Sequence, residues 1–153
     1  MNKVLFLPCL LVLSSIFTMV IYADDQDSAT MNNIAAKNAK VFFIEPLDGQ
    51  KFLSKNSNGI EVVFGASNVL IKAAGELVPN SGHHHLLINV DELPDLSMPI
   101  PANDKIIHFG KGQTTTTIEL PKGQHKLQLI LGNHVHIPHR PPVMSDPIYI
   151  EVE

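Results

Sequence analysis

The chain has 153 residues, of which 44% are hydrophobic, and its formal net charge is −4 when its eight histidines are neutral. A chain of this length allows one domain with a tail and can bury a single core. The negative charge argues against nucleic acid as a partner, because binding to phosphates requires clustered lysine and arginine. It argues equally against attachment to an anionic lipid surface.

The first 23 residues have the pattern of a secretory signal peptide. Lys3 precedes an uncharged apolar run at residues 4–22, and Ala23 ends this run directly before two aspartates. This order predicts cleavage after Ala23 and therefore a periplasmic or secreted protein with no membrane attachment afterwards. The alternative is a single membrane anchor, for which a run of about 19 residues is long enough, but Pro8 weakens a spanning helix.

The single cysteine, Cys9, lies inside the predicted signal peptide. The mature protein would therefore have no disulfide, no cysteine nucleophile and no thiolate ligand for a metal. Residues 24–40 are polar and predict a flexible tether. We expect residues 41–152 to form one folded domain.

This domain is expected to be all-β. Short runs rich in β-branched and aromatic residues alternate with turn signals, which is typical of a sandwich. Strands are predicted at residues 41–45, 59–66, 84–90, 106–109 and 114–120, between Gly123 and Gly132, and at residues 148–152. Their number, lengths and total size predict an immunoglobulin-like seven-stranded sandwich. A cupin barrel is disfavoured, because the spacing from Pro121 to His125 is one residue short of the cupin motif.

The predicted topology gathers seven of the eight histidines at one end of the sandwich, where the loops after the second, fourth and sixth strands meet. His125 lies at the other end, as a corner residue with its own hydrogen bonds. The candidate metal ligands at the shared end are His83, His85, His108, His134, His136 and His139. Additional candidates are His84, Met98 and Met144.

These residue types suit a copper or zinc ion. Neutral imidazole is a good ligand for both metals, and a site needs three or four converging donors. In extended chain, His134 and His136 project to the same side, as do His83 and His85, whereas His84 points inward. A thioether from a methionine would favour Cu(I).

Three functions are open from the sequence. The first is a periplasmic module that binds copper or zinc for buffering, delivery or metal stress. The second is a non-catalytic structural or interaction domain of the envelope, whose histidines pack loops, contact an envelope protein or sense pH. The third and least favoured is an enzyme, because a metal-activated water needs an open coordination position and a general base, and neither stands out.

Four motifs carry a resemblance to a known family: NSGHHHLLI at residues 80–88, PIPA at 99–102, HFGKGQT at 108–114, and the histidine-proline segment at 131–145. Together they resemble the DUF4399 family of small secreted bacterial domains of unknown function, over about residues 41–152. The resemblance implies an envelope protein with this histidine framework and brings no established activity. It also leads us to expect aspartate where this chain has Asn133, and the missing carboxylate would weaken an ionic role there.

Overall fold

The computed structural model of the protein describes residues 33–53 and 59–153. The predicted signal peptide and residues 24–32 of the predicted tether lie outside the described residues. Among the described residues there is no helix, and none could therefore cross a membrane as a long apolar helix.

The described residues form nine strands. In chain order they are β1 (Lys40–Glu45), β2 (Lys51–Phe52), β3 (Ile60–Ser67), β4 (Leu70–Ile71), β5 (Ser81–Ile88), β6 (Ile106–His108), β7 (Thr115–Ile118), β8 (Gly123–Gly132) and β9 (Ile148–Val152). All seven predicted strands are present, and the all-β prediction is confirmed. The predicted count of seven is too low, because two short strands, β2 and β4, pair in parallel with β9 and β5.

Two sheets form the sandwich. One has the order β1-β3-β7, and the other has the order β2-β9-β8-β5-β4 with β6 attached to β5. The principal strands are divided between the sheets as in an immunoglobulin sandwich, the first, second and fifth facing the third, sixth and seventh. The fourth predicted strand, β6, pairs antiparallel with β5. This pairing places His108 beside the histidines of β5.

The main core lies between the two sheets. Side chains alternate between the faces of a strand, and every second residue points inward from β3 (Val62, Phe64), β5 (Leu86) and β8 (Leu127, Leu129). Each of these side chains is at most 1% exposed. The inward alternation predicted from the sequence is therefore confirmed for these strands.

A second, smaller apolar cluster covers the outer face of the larger sheet. Leu87, Ile100, Ile106 and Ile130 are its buried members. Ile100 belongs to the long crossing at residues 91–105, which passes over that face. As a result, every residue of β5 is buried, on both faces of the strand.

Residues 33–39, the end of the predicted tether nearest the domain, contact the domain. Ala35 is buried, and the Ala36 amide donates to the side-chain oxygen of Asn80 over 2.8 Å. The carbonyl oxygen of Asn33 accepts a hydrogen bond from the Arg140 amide over 2.9 Å. This segment is held in place because its backbone groups have partners on the domain.

His125 has the structure of a hydrogen-bonded corner residue, as expected. Its Nδ1 lies 3.0 Å from the side-chain nitrogen of Asn89, and its Nε2 lies 2.8 Å from the carbonyl oxygen of Pro121. Nε2 therefore carries the proton and donates it, while Nδ1 accepts. Seven residues of β8, about 23 Å of extended chain, separate His125 from Gly132 at the other end of the strand.

We expect His125→Ala to lower the free energy of unfolding by about 1–3 kcal/mol, because two partly buried hydrogen bonds, to Asn89 and Pro121, are lost. Copper and zinc affinity should stay unchanged in this variant. Urea denaturation and metal titration of the same preparation measure the two effects. A loss of metal binding in His125→Ala would contradict the assignment of this residue to structure alone.

Candidate metal centre

Three histidines converge on the outer face of the larger sheet. His83 and His85 are two residues apart on β5 and therefore share a face, and His85 lies directly opposite His108 on β6. One ring nitrogen of each lies within 4.8 Å of the others. In the described part of the chain, this is the one group of three or more candidate ligand residues that meets that distance.

A fourth ring, that of His136, lies against the other three. Its centroid is 4.9 Å from that of His83, 4.7 Å from that of His108 and 6.1 Å from that of His85. The backbone of His136 has φ of +70°, a left-handed conformation that is uncommon for a residue with a side chain. Its carbonyl oxygen accepts a hydrogen bond from the Ile100 amide over 2.9 Å, which fixes the loop to the crossing above the sheet.

Asn133 builds the turn that carries His136. Its side-chain oxygen accepts hydrogen bonds from the Val135 and Ile137 amides, each over 3.0 Å. Its side-chain nitrogen donates to the side-chain oxygen of Asn33 over 3.0 Å. An amide here supplies both an acceptor for the turn and a donor for the N-terminal segment, so the turn does not depend on a carboxylate.

Two glycines make room for the rings. Gly132 lies opposite His83 across the β5–β8 pair, and a Cβ there would lie 2.8 Å from Cε1 of His85 and 3.2 Å from Cα of His136. A Cβ at Gly110 would lie 2.7 Å from Nε2 of His108. Only glycine allows the backbone and the imidazoles to approach this closely at both positions.

We expect Gly110→Ala to reduce metal affinity more than stability. The new methyl group would displace the His108 ring, which can rotate away at low cost because it is the end of a side chain. Loss of one well-placed donor should weaken binding about tenfold or more, while the free energy of unfolding should change by less than about 1 kcal/mol. Metal titration and urea denaturation test this, and equal affinities of the variant and the wild type would contradict it.

The ring nitrogens of the three histidines are buried without hydrogen-bond partners. This applies to both nitrogens of His83, both of His85 and Nε2 of His108. Removing a polar group from water without giving it a partner costs free energy, and nearly all buried polar groups in proteins are therefore paired. One nitrogen of each ring lies within 4.8 Å of the others, so nitrogens without partners converge on one small region.

Burial also keeps these rings neutral. It is the main cause that lowers the pKa of His83 from 6.5 to about 4, and His108, His136 and His84 lower it further. Burial likewise lowers the pKa of His85 to about 3. The pKa of His108 is lowered, first by burial and then by His136. Near pH 7 the rings are therefore in the form that binds a metal.

His84 faces the main core, as expected. Its ring centroid is 4.9 Å from that of Phe64 on the opposite sheet. Burial lowers its pKa to about 4, and the backbone of Gln113 and Gly65 acts weakly in the opposite direction. Both ring nitrogens of His84 lack a hydrogen-bond partner, which shows that these backbone groups are too poorly placed to form full hydrogen bonds.

The remaining candidates lie apart from the four rings. His139 is buried, and its pKa is lowered by burial, against a smaller contribution from the backbone of Ser81 and Asn33. His134 is half-buried, and its carbonyl oxygen accepts a hydrogen bond from the Gly75 amide. Within residues 33–53 and 59–153, neither ring makes an aromatic contact with the four.

The two methionines also take other positions. Met98 is 56% exposed, and Met144 packs against the apolar cluster of Leu87, Ile100, Ile106 and Ile130. Of the six predicted ligands, the structure thus brings together His83, His85, His108 and His136. It does not bring His134 or His139 to them.

Two assumptions about the histidines are wrong. Residues 133–137 are not extended but form a tight turn, because the Asn133 carbonyl and side chain bind the following amides. The same-side alternation expected for His134 and His136 therefore does not apply. In addition, His83 and His85 lie within β5, and the cluster forms on a sheet face instead of among loops at the end of the sandwich.

Gly132, Gly110 and Asn33 support the site but were not singled out from the sequence. Both glycines lie next to or near a histidine in the sequence, in the motifs LGNH and HFG, and this proximity is the feature that could have identified them. Asn33 carried no signal, because its partner Asn133 is 100 residues away.

The chain matches a protein-family model over most of its folded domain. The model of the family described as "Domain of unknown function (DUF4399)" matches residues 62–153, a span that contains all eight histidines. No curated protein matches the chain, and no solved structure matches it. The chain belongs to the DUF4399 family, as its motifs indicated.

Proposed function

We propose that this member of the DUF4399 family is a periplasmic metal-binding module that holds one copper or zinc ion for buffering, delivery or metal stress. The ligands are His83, His85 and His108 on the sheet, with His136 as the fourth from the loop. One observation carries the proposal: five of the six ring nitrogens of the three sheet histidines are buried without hydrogen-bond partners, and one nitrogen of each ring lies within 4.8 Å of the others.

The contrast with His125 supports a role beyond packing. His125 is also buried, and both of its ring nitrogens have hydrogen-bond partners. The ring nitrogens of His84 and His139 are also buried without partners, so the convergence of His83, His85 and His108 is what distinguishes the cluster. His83 and His85 bear the cost of burial without such bonds, and a bound ion would give a partner to one nitrogen of each ring.

The cluster also has a route for the ion to enter. His83 and His85 are fully buried, whereas His108 and His136 are only partly buried. An ion could therefore approach between His108 and His136 and reach the two inner rings. The proposed periplasmic location rests on the signal-peptide pattern at residues 1–23.

Metal titration of the protein without an affinity tag tests the proposal, because a polyhistidine tag would bind the same metals. The wild type should bind about one equivalent of copper or zinc per chain. His85→Ala should lower the affinity by about 100-fold or more, because it removes a ligand held rigidly by the sheet. His134→Ala is the matched control and should bind like the wild type.

Two results would contradict the proposal. One is equal and weak binding by the wild type, His85→Ala and His134→Ala. The other is a melting temperature that neither added metal nor a chelator changes. Either result would favour the alternative, in which the histidines pack loops or contact an envelope protein.

A further inference from the structure

We infer that the ion for which this site is built is copper in its monovalent state, Cu(I). The inference rests on the proposed metal site and adds the charge of the ion that the site takes. It follows from two independent features of the cluster: the absence of a negative partner among the described residues and the arrangement of the ligands on a rigid sheet.

No negative group of residues 33–53 and 59–153 accompanies the cluster. In the described part of the chain, the ligand group consists of three histidines, and no aspartate or glutamate joins it. Among the described residues, no carboxylate oxygen lies within 4.0 Å of a ring nitrogen of these histidines. An ion bound by these neutral residues alone would therefore keep its whole charge.

The magnitude of that charge decides which ion is favoured. The cost of moving an ion from water into a protein interior is a solvation cost that rises with the square of the charge. A divalent ion among neutral imidazoles would bear about four times the cost of a monovalent ion of similar size. Zn²⁺ or Cu²⁺ would need an anion from solvent to compensate, whereas Cu(I) would not.

The geometry separates the two oxidation states of copper. His83, His85 and His108 project from the same face of two paired strands, so all three rings approach an ion from one side. His136 approaches from the loop that covers this face. Cu(II) favours a tetragonal arrangement of ligands, whereas the six distances between the four ring centroids lie between 4.7 and 6.1 Å, which is closer to a tetrahedron than to a square.

Sulfur ligands do not contribute to this preference. Met98 is exposed and Met144 packs with the apolar cluster, so the thioether argument made from the sequence does not apply to the four rings. Zn²⁺ accepts a tetrahedral site as readily as Cu(I). Charge alone therefore separates these two ions.

The full chain without a tag is loaded with Cu(I) under anaerobic conditions, exposed to air and examined by metal analysis and electron paramagnetic resonance. About one copper per chain should remain bound and should give no Cu(II) signal. Zn²⁺ in about tenfold excess should displace less than half of it, because the divalent ion carries the larger solvation cost.

Three outcomes would overturn the inference. A Cu(II) signal that disappears in His85→Ala would show that the site takes divalent copper. Displacement of most of the copper by Zn²⁺ would show that charge does not control selectivity. In both cases the proposed metal site would stand. Failure to retain copper or zinc at all would overturn the proposed function as well.

Asn133→Asp provides a second test by adding one negative charge near the cluster. The carboxylate keeps the oxygen that accepts hydrogen bonds from the Val135 and Ile137 amides. A fixed negative charge attracts a divalent ion twice as strongly as a monovalent ion. The Zn²⁺ affinity should therefore rise by a larger factor than the Cu(I) affinity, and equal changes would contradict the charge argument.

Discussion

Lowering the pH from about 7 to about 4 is expected to destabilise the metal-free protein by several kcal/mol. Burial lowers the pKa values of His83 and His84 to about 4 and that of His85 to about 3, from an ordinary value of 6.5. Between pH 6.5 and the folded-state pKa values, these histidines bind protons in the unfolded chain but not in the folded chain. Each unit of pKa difference corresponds to about 1.4 kcal/mol, which is large beside a typical total stability of about 5–15 kcal/mol.

The direction of this pH dependence follows from the lowered pKa values. Stability is complete above pH 6.5, falls as the pH decreases below that value, and levels off below the folded pKa values near 4 and 3. Urea denaturation of the metal-free protein at a series of pH values measures it. His84→Leu removes one of the three groups, so its stability should fall less steeply. A flat profile between pH 7 and pH 4 would contradict the burial of neutral imidazoles.

Gly132→Ala is expected to disrupt the metal site and the fold together. The new methyl carbon would lie 2.8 Å from Cε1 of His85 and 3.2 Å from Cα of His136. The His85 ring lies in a buried region and the second contact is with backbone, so neither can move away at a small cost in free energy. Overpacking of this kind costs about 1–3 kcal/mol, and metal affinity should fall about tenfold or more because two rings are displaced.

Gly65→Ala is the matched control for this substitution. Gly65 also lies in a strand, and its added methyl group would meet the Phe42 ring, 2.6 Å from Cε2. Phe42 lies opposite Gly65 in the three-stranded sheet, is 42% exposed and can move outward. Gly65→Ala should therefore keep full metal affinity. Equal losses of affinity in the two variants, or normal affinity in Gly132→Ala, would contradict the close packing at Gly132.

The sequence predicted the strands because their signal is local. Alternation of apolar and polar residues specifies which side chains of β3, β5 and β8 face inward. The same alternation places His84 in the core and His83 with His85 on the other face, and the structure agrees. The family motifs also lie in and beside these strands.

The turn at Asn133 could not be predicted in the same way. Its geometry depends on hydrogen bonds from one side chain to two amides, and on the left-handed backbone of His136. Only glycine signals such a conformation reliably in a sequence. His134 and His136 were consequently expected to act as a pair, and only His136 reaches the cluster.

The burial of the cluster depends on contacts between distant parts of the chain. The crossing at residues 91–105 carries four acidic residues, yet Ile100 within it is buried over the sheet. Its amide binds the carbonyl oxygen of His136. Pairing of β6 with β5 was likewise a choice of topology that strand patterns alone do not determine.

The central claim is that buried imidazoles on the outer face of the larger sheet bind a metal ion. Elemental analysis of the protein, purified without a tag and dialysed against copper or zinc, tests it most directly when combined with X-ray absorption spectroscopy at the metal edge. We expect about one ion per chain, coordinated by three or four imidazole nitrogens, and loss of that ion in His85→Ala. A protein that retains neither metal after dialysis, with the fold intact, would contradict the claim.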